Sequence, residues 1–209
     1  MGEPMDRAAE AHQPMALDFV NTVDWRNTRQ PTERLNGYAD LVTWLCAADA
    51  LTPSVGQRML AAAGADGEGA QAAFARARAL REAIYRVFAA VARGEAIATP
   101  DLAPVSVAAS EALAHARLAP TAQGSVEWEW PEHDAPLERA LWPVARSAAA
   151  LLVSARLGRV RECEGDGCGW LFLDTSKNRS RRWCSMDSCG NRAKARRHYA
   201  RVRATQAGA

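Results

Sequence analysis

Lysine is scarce in this 209-residue chain: of its 26 basic residues only Lys177 and Lys194 are not arginine. A GC-rich coding bias produces the same skew, so arginine abundance alone says nothing about a partner. Only its placement is informative. Long apolar runs are absent too. None approaches the ~18 residues a membrane span needs, so no membrane partner is expected. The opening residues 1–7 lack the basic-then-apolar order of a secretory signal. Asp6 stands where myristoylation asks for Ser or Thr. There is no phosphate-binding glycine loop, cofactor fingerprint or nucleophile–base pair, and an enzyme is not expected. No internal repeat or low-complexity linker is visible. The expected location is the cytoplasm of a bacterial cell, where thiols stay reduced and paired cysteines hold metals rather than disulfides.

What is present is a globular composition, 48% hydrophobic and 24% charged, in a chain long enough to bury a core. The net charge of +2 hides an asymmetry. Residues 1–154 carry −6 and residues 155–209 carry +8. An acidic body with a basic end fits a sensor or dimerisation domain, residues 1–158, joined to a nucleic-acid-binding module, residues 159–209.

Helical signals dominate the body. Leu17, Phe19, Val20 and Val23 suggest a short first helix over 15–25. Asn36 is a candidate cap for a second, with Leu41, Val42, Trp44 and Leu45 inward. Thr52-Pro53 predicts a third helix, a capping hydroxyl followed by proline at the first helical position, stopping near Gly64. Residues 65–69 read as a turn. Phe74, Ala77, Leu80, Ile84, Val87, Phe88 and Val91 predict a long helix over 70–93, ended by Gly94. Thr99-Pro100-Asp101 opens another, to about Leu118. The period then changes: Val126, Trp128 and Trp130 alternate with Ser125, Glu127 and Glu129, a half-buried strand turning at Gln123-Gly124 from a partner near 118–122. Pro136 starts a last helix that runs to Gly158. Cys46, alone in an apolar segment, reads as a small core residue.

The chemistry lies in two C-x4-C pairs, Cys163/Cys168 and Cys184/Cys189, 15 residues apart. Four thiolates at this spacing make a tetrahedral Zn2+ site, and four protein ligands leave no open position for water, so the zinc is structural. Trp170–Leu173 forms a strand over the metal, Asp174-Thr175-Ser176 a turn, and Cys189 sits at a helix start, where free amides stabilise a thiolate. This knuckle–hairpin–helix order is that of a treble-clef finger. Basic residues follow on both sides of the second pair: Arg179, Arg181 and Arg182 before it, then Arg192, Lys194, Arg196, Arg197 and Arg201. Arg192, Arg196 and Arg203 share one helix face with the others flanking it. These are the candidate phosphate contacts. The residues alone do not separate DNA from RNA, and a single short helix reads sequence weakly unless the protein is a homodimer. In the body, Asn21, Arg26 and Arg81 set polar groups among apolar ones. They form either a structural network tying helices together or a pocket for a small-molecule effector with an arginine clamp.

The motifs Cys163-Glu-Gly-Asp-Gly-Cys168-Gly-Trp-Leu-Phe-Leu-Asp174, Arg181-Arg182-Trp183-Cys184 and Cys189-Gly190-Asn191-Arg192 resemble the CGNR zinc-finger family. The segments Leu17–Trp25 and Leu80–Tyr85 are similar to the ABATE domain that precedes this finger. The resemblance implies zinc at the four cysteines, DNA binding and a role in stress-induced transcription regulation. The expected fold is mainly α: a helical N-terminal domain with one small β-hairpin, then a treble-clef-like finger with a short hairpin and a basic helix. The alternative function is a zinc-stabilised protein–protein interaction module without direct DNA contact.

Overall fold

A computed structural model describes residues 13–121, 124–131 and 136–207. Helix α1 (Met15–Val20) leads into a two-residue strand pair, β1 (Val23–Asp24) and β2 (Thr32–Glu33). Helices α2 (Tyr38–Ala47), α3 (Pro53–Ala65), α4 (Gly67–Arg93) and α5 (Thr99–Ala114) follow. A hairpin of β3 (Arg117–Pro120) and β4 (Val126–Glu129) precedes a 3-10 segment, Leu137–Leu141, and α6 (Trp142–Leu152). The C-terminal part comprises β5 (Val160–Glu162), β6 (Leu171–Leu173), a π turn at Met186–Gly190 and α7 (Asn191–Ala207). All three strand pairs are antiparallel. The fold is mainly helical, as the sequence implies.

Helix α4 is the central post, packed by α1, α2, α3 and α5 and by β5. Asp66 caps it, accepting from the Gly69 N–H at 2.8 Å, so the helix takes in most of the expected 65–69 turn. Gly94 ends it at φ 71°, a left-handed conformation that costs glycine no Cβ clash. Thr52 caps α3 through Val55 N, with Pro53 in the first turn. The fully buried Leu17, Leu41, Leu45 and Met59 share one core with Ile84 and Phe88 of α4. Cys46 is half-buried there, and burial pushes its thiol pKa up. Its sulfur sits so close to Gly56 that a Cβ at that position would lie 2.6 Å away.

Several expectations change. The first helix stops at Val20, because the Asn21 amide is used to hold a distant strand and Trp25 adopts φ 56°. The last helix is split: Pro143 has no N–H to continue an α ladder backwards, so a 3-10 segment precedes α6, which ends at Leu152. The β3–β4 hairpin forms, with Leu118 opposite Trp128 and Pro120 opposite Val126. However, its apolar face is bare: Leu118 is 62%, Val126 64% and Trp128 42% exposed. Only Trp130 turns inward, donating from Nε1 to Ala112 O at 2.8 Å. Gln123 of the expected turn lies outside the described residues. Finally, β1–β2 adds a strand pair to the body beyond its one expected hairpin, while β5–β6 is the short hairpin expected in the finger.

Strand β6 joins two cores by its period of two. Leu171 and Leu173 point into the main core with Val160, whereas Phe172 points the other way and packs with Cys163, Cys168 and Cys189. Burying Val160, Leu171 and Leu173 contributes about 5–9 kcal/mol as an upper bound, enough to dock the finger's hairpin on the body.

Candidate metal centre and basic helix

The β5–β6 hairpin carries the first cysteine pair in its loop; Cys184 precedes the π turn and Cys189 lies within it, just before α7. All four sulfurs lie within 4.8 Å of one another. Cys184 Sγ is 3.8 Å from Cys168 Sγ and 3.6 Å from Cys189 Sγ. Four sulfurs about 2.3 Å from one ion stand about 3.8 Å apart at tetrahedral angles, so the donor set fits a metal site of the zinc type. A disulfide needs sulfurs about 2.05 Å apart and is excluded. Backbone N–H groups of Gly165 and Cys184 point at Cys163 Sγ, at 3.4 and 3.3 Å. Hydrogen bonds from the Cys168 and Cys184 thiols, with those amides, push the Cys163 thiol pKa down. Bonding to Cys163 pushes Cys168 and Cys184 up. A cation replaces the protons that these sulfurs otherwise share.

Glycine makes the close approach possible. A Cβ on Gly165 would sit 2.7 Å from Cys189 Sγ. Asp174, fully buried, organises the segment between the pairs. Its carboxylate accepts from Ser176 N at 2.9 Å, Ser176 Oγ at 2.6 Å and Arg181 N at 3.1 Å. Burial opposes the charge, but these bonds outweigh it and hold the pKa below the ordinary range.

The basic residues divide by use. Arg181 stacks on Phe172, 4.6 Å from the ring centre, and donates to Trp183 O at 3.0 Å. Arg182 pairs with Glu164. Arg192 stacks on Trp25 and donates to Cys189 Sγ at 2.9 Å, while Arg196 pairs with Asp166. Helical periodicity sets Arg192, Arg196 and Arg203 on one side of α7 and Lys194, Arg197 and Arg201 about half a turn round. The first side meets the finger through Arg192 and Arg196. The second lines a shallow surface groove. Helix α7 carries no acidic residue, and Lys194 and Arg179 form no ion pair among the described residues. Arg179 adopts φ 51° in the exposed segment before Cys184.

Each member of the polar trio of the body is bonded within the fold. Asn21 brackets Leu171, donating from Nδ2 to its O at 2.7 Å and accepting from its N at 2.9 Å. Arg26 holds Glu82 at 2.7 Å and Val20 O at 2.9 Å, with Tyr85 under its guanidinium at 4.2 Å. Arg81, 2% exposed, grips Glu33 at 2.8 and 2.5 Å and reaches Thr22 Oγ1 and Glu82, both at 3.0 Å. Burial pushes Glu33 and Glu82 up, but hydrogen bonds from Arg81 and Arg26 respectively prevail and hold both pKa values low. An incoming anion would have to displace a carboxylate at either arginine. A cleft of about 960 Å3 lies elsewhere, between Leu51, Trp128, Trp130 and Arg146.

Sequence reasoning missed the residues that seat the finger: Trp25, Trp170 and Glu162. Glu162 accepts from Asn27 Nδ2 and Arg93 Nε, both at 2.9 Å, across the boundary between body and finger. No periodicity marks such long-range partners. The glycines at 167 and 169 were the available sign, since both have positive φ and touch residues 25–28.

Among the described residues no helix is long and apolar enough to cross a membrane. The ABATE family, described as "Putative stress-induced transcription regulator", matches residues 13–155. The CGNR zinc finger matches residues 159–202. No curated protein matches the chain.

Proposed function

We propose, from the premise that the chain belongs to the ABATE family and carries a CGNR zinc finger behind that domain, that it is a zinc-ordered transcription regulator that binds DNA through α7. The zinc is structural, since four thiolates fill a tetrahedral shell and leave no place for a reacting water. The observation that carries DNA binding is the outward side of α7. Lys194, Arg197 and Arg201 stand together on a helix without acidic residues, anchored at its first turn by the metal knuckle. Arg179 and Lys177, in the segment before Cys184, are further exposed cations of the finger. Cations on a rigid, exposed helix suit phosphates, and their number sets the salt dependence of binding. In this reading the body is the sensing part, and its cleft beside Trp128, Trp130 and Arg146 is the place for an effector.

The test is binding of duplex DNA, with RNA beside it, to zinc-loaded protein at several salt concentrations. A Lys194→Ala/Arg197→Ala variant should bind more weakly, with the log–log salt slope reduced by about 1–2. Cys184→Ser should lose binding with the zinc. Salt-independent or absent binding by the folded, zinc-loaded protein would overturn the DNA reading. It would favour the protein-interaction alternative, which the bare face of Leu118, Val126 and Trp128 supports.

A further inference from the structure

Several contacts run from the body to the metal centre itself. The Arg26 N–H donates to Cys168 O at 3.1 Å and the Asn27 N–H to Gly167 O at 3.3 Å. The Trp170 indole donates to Val23 O at 3.1 Å. Approach this close needs glycine: a Cβ at Gly167 would meet Thr28 Cγ2 at 2.6 Å, and one at Gly169 would meet Arg26 Cβ at 2.8 Å. On the opposite knuckle, the Arg192 guanidinium lies 4.5 Å from the centre of the Trp25 ring while its Nη2 reaches Cys189 Sγ. Trp25 is therefore the body's contact to one metal-site sulfur, through one arginine.

The backbone supports this reading. Trp25 has φ 56°, an outlier for a bulky residue. Such a conformation persists only where the surroundings over-determine it. Here Thr28 donates to Trp25 O twice, from N at 3.0 Å and from Oγ1 at 2.8 Å. The held ring gives Arg192 a flat surface. Without it, an arginine on an exposed helix would spread over rotamers in water. Four thiolates on one divalent ion carry excess negative charge, and a guanidinium N–H directed at one sulfur offsets part of it.

We propose that Trp25 is a positioning residue of the metal centre. It holds Arg192 against the Cys189 sulfur, so the N-terminal domain sets how firmly the finger retains its metal. The inference rests on the zinc reading above but not on DNA binding. It takes Arg192 out of the phosphate-contacting set and makes it the joint between body and finger. Any event that shifts residues 23–28 then reaches the first turn of α7.

The experiment is transfer of zinc from the full-length protein to a chromophoric chelator, followed as a rate and as an equilibrium competition. The variants are Trp25→Ala, Trp25→Phe, Arg192→Lys and, as a control, Trp128→Ala. Alanine and phenylalanine both keep a Cβ, so the strain at residue 25 is unchanged and only the ring differs. Trp25→Ala and Arg192→Lys should each weaken zinc retention roughly 10-fold, and Trp25→Phe should stay within a factor of about 3 of the parent. Trp128→Ala should change nothing. The double variant Trp25→Ala/Arg192→Lys should be no worse than either single, because both break one contact. In cobalt-loaded protein the thiolate charge-transfer band should move in Trp25→Ala and Arg192→Lys but not in Trp128→Ala. Parental zinc retention by Trp25→Ala, or additive losses in the double variant, would overturn the proposal. If Trp25→Ala fails to fold, Arg192→Lys decides, since its site is on an exposed helix; a parental rate and cobalt band there also overturn it. A parent that holds no zinc defeats the zinc reading as well, whereas zinc without DNA binding defeats only the DNA reading.

Discussion

Replacing Asn21 with alanine removes one side chain and two hydrogen bonds at once. Its amide brackets Leu171, at 2.7 and 2.9 Å, and Leu171 is 0% exposed. The variant leaves a buried N–H and a buried C=O without partners. Each costs roughly 1–3 kcal/mol, or about 2–6 kcal/mol together. Water entering the vacated space offsets part of that where it finds polar partners. A loss of about 3 kcal/mol is therefore expected. For a chain of this size, at roughly 2–4 °C per kcal/mol, Tm falls by about 6–12 °C. The assay is thermal and urea unfolding in excess zinc, so that metal linkage stays constant. Asn21→Asp should do no better, because the carboxylate keeps an acceptor for Leu171 N but faces Leu171 O with no donor. Asn27→Ala, which removes an exposed bond to Glu162, should stay within about 0.5 kcal/mol. If Asn21→Ala is equally mild, the amide does not close the joint between α1 and β6, and the argument from buried partners is wrong.

Three further outcomes follow from the geometry. Arg81→Ala leaves Glu33 and Glu82 without their common partner and should cost roughly 3–5 kcal/mol in urea unfolding, against at most about 1 kcal/mol for the exposed Arg34→Ala; equal effects would refute the network. Gly165→Ala drives a methyl group toward Cys189 Sγ and should weaken zinc retention roughly 10-fold or more, whereas Gly158→Ala, with nothing within 4 Å, should be silent in the same chelator assay. Glu33, Glu82 and Asp174 all titrate lower in the fold than in the unfolded chain. Their stabilisation is thus complete above the unfolded carboxylate pKa and lost as pH falls through the folded values. The urea midpoint should drop below about pH 4, and the drop should be shallower in Glu33→Gln than in the parent; parallel curves would refute the assignment.

Much of the body was legible because its signals are local. Thr52-Pro53 and Gly94 mark helix ends by backbone chemistry that needs no partner. The cysteine spacing likewise foretold a cluster of four sulfurs. What stayed hidden depends on distant segments. The strands β1 and β2 are two residues each, too short for alternation to show. The alternation of Val126 and Trp128 marks a strand, but alternation names two faces without saying which one is covered. The same limit applies to α7. Its periodicity separates Arg192 and Arg196 from Lys194 and Arg197, yet only Trp25, Cys189 and Asp166 show which side is docked. Asn21 fits both a structural network and an effector pocket in sequence, because its partner lies 150 residues away.

That separation bears on how the protein comes to exist. Synthesis proceeds from the N-terminus at roughly 5–20 residues per second, so α1 is exposed many seconds before β6 is made. Until then Leu17 and Val20 have no Leu171 or Leu173 to cover them, and the Asn21 amide has no strand to hold. The helices can form early, but the core closes only with the first half of the metal module. A nascent chain arrested near residue 158 should therefore be a partly open, chaperone-dependent body, and the finger becomes the last stave that makes the barrel tight.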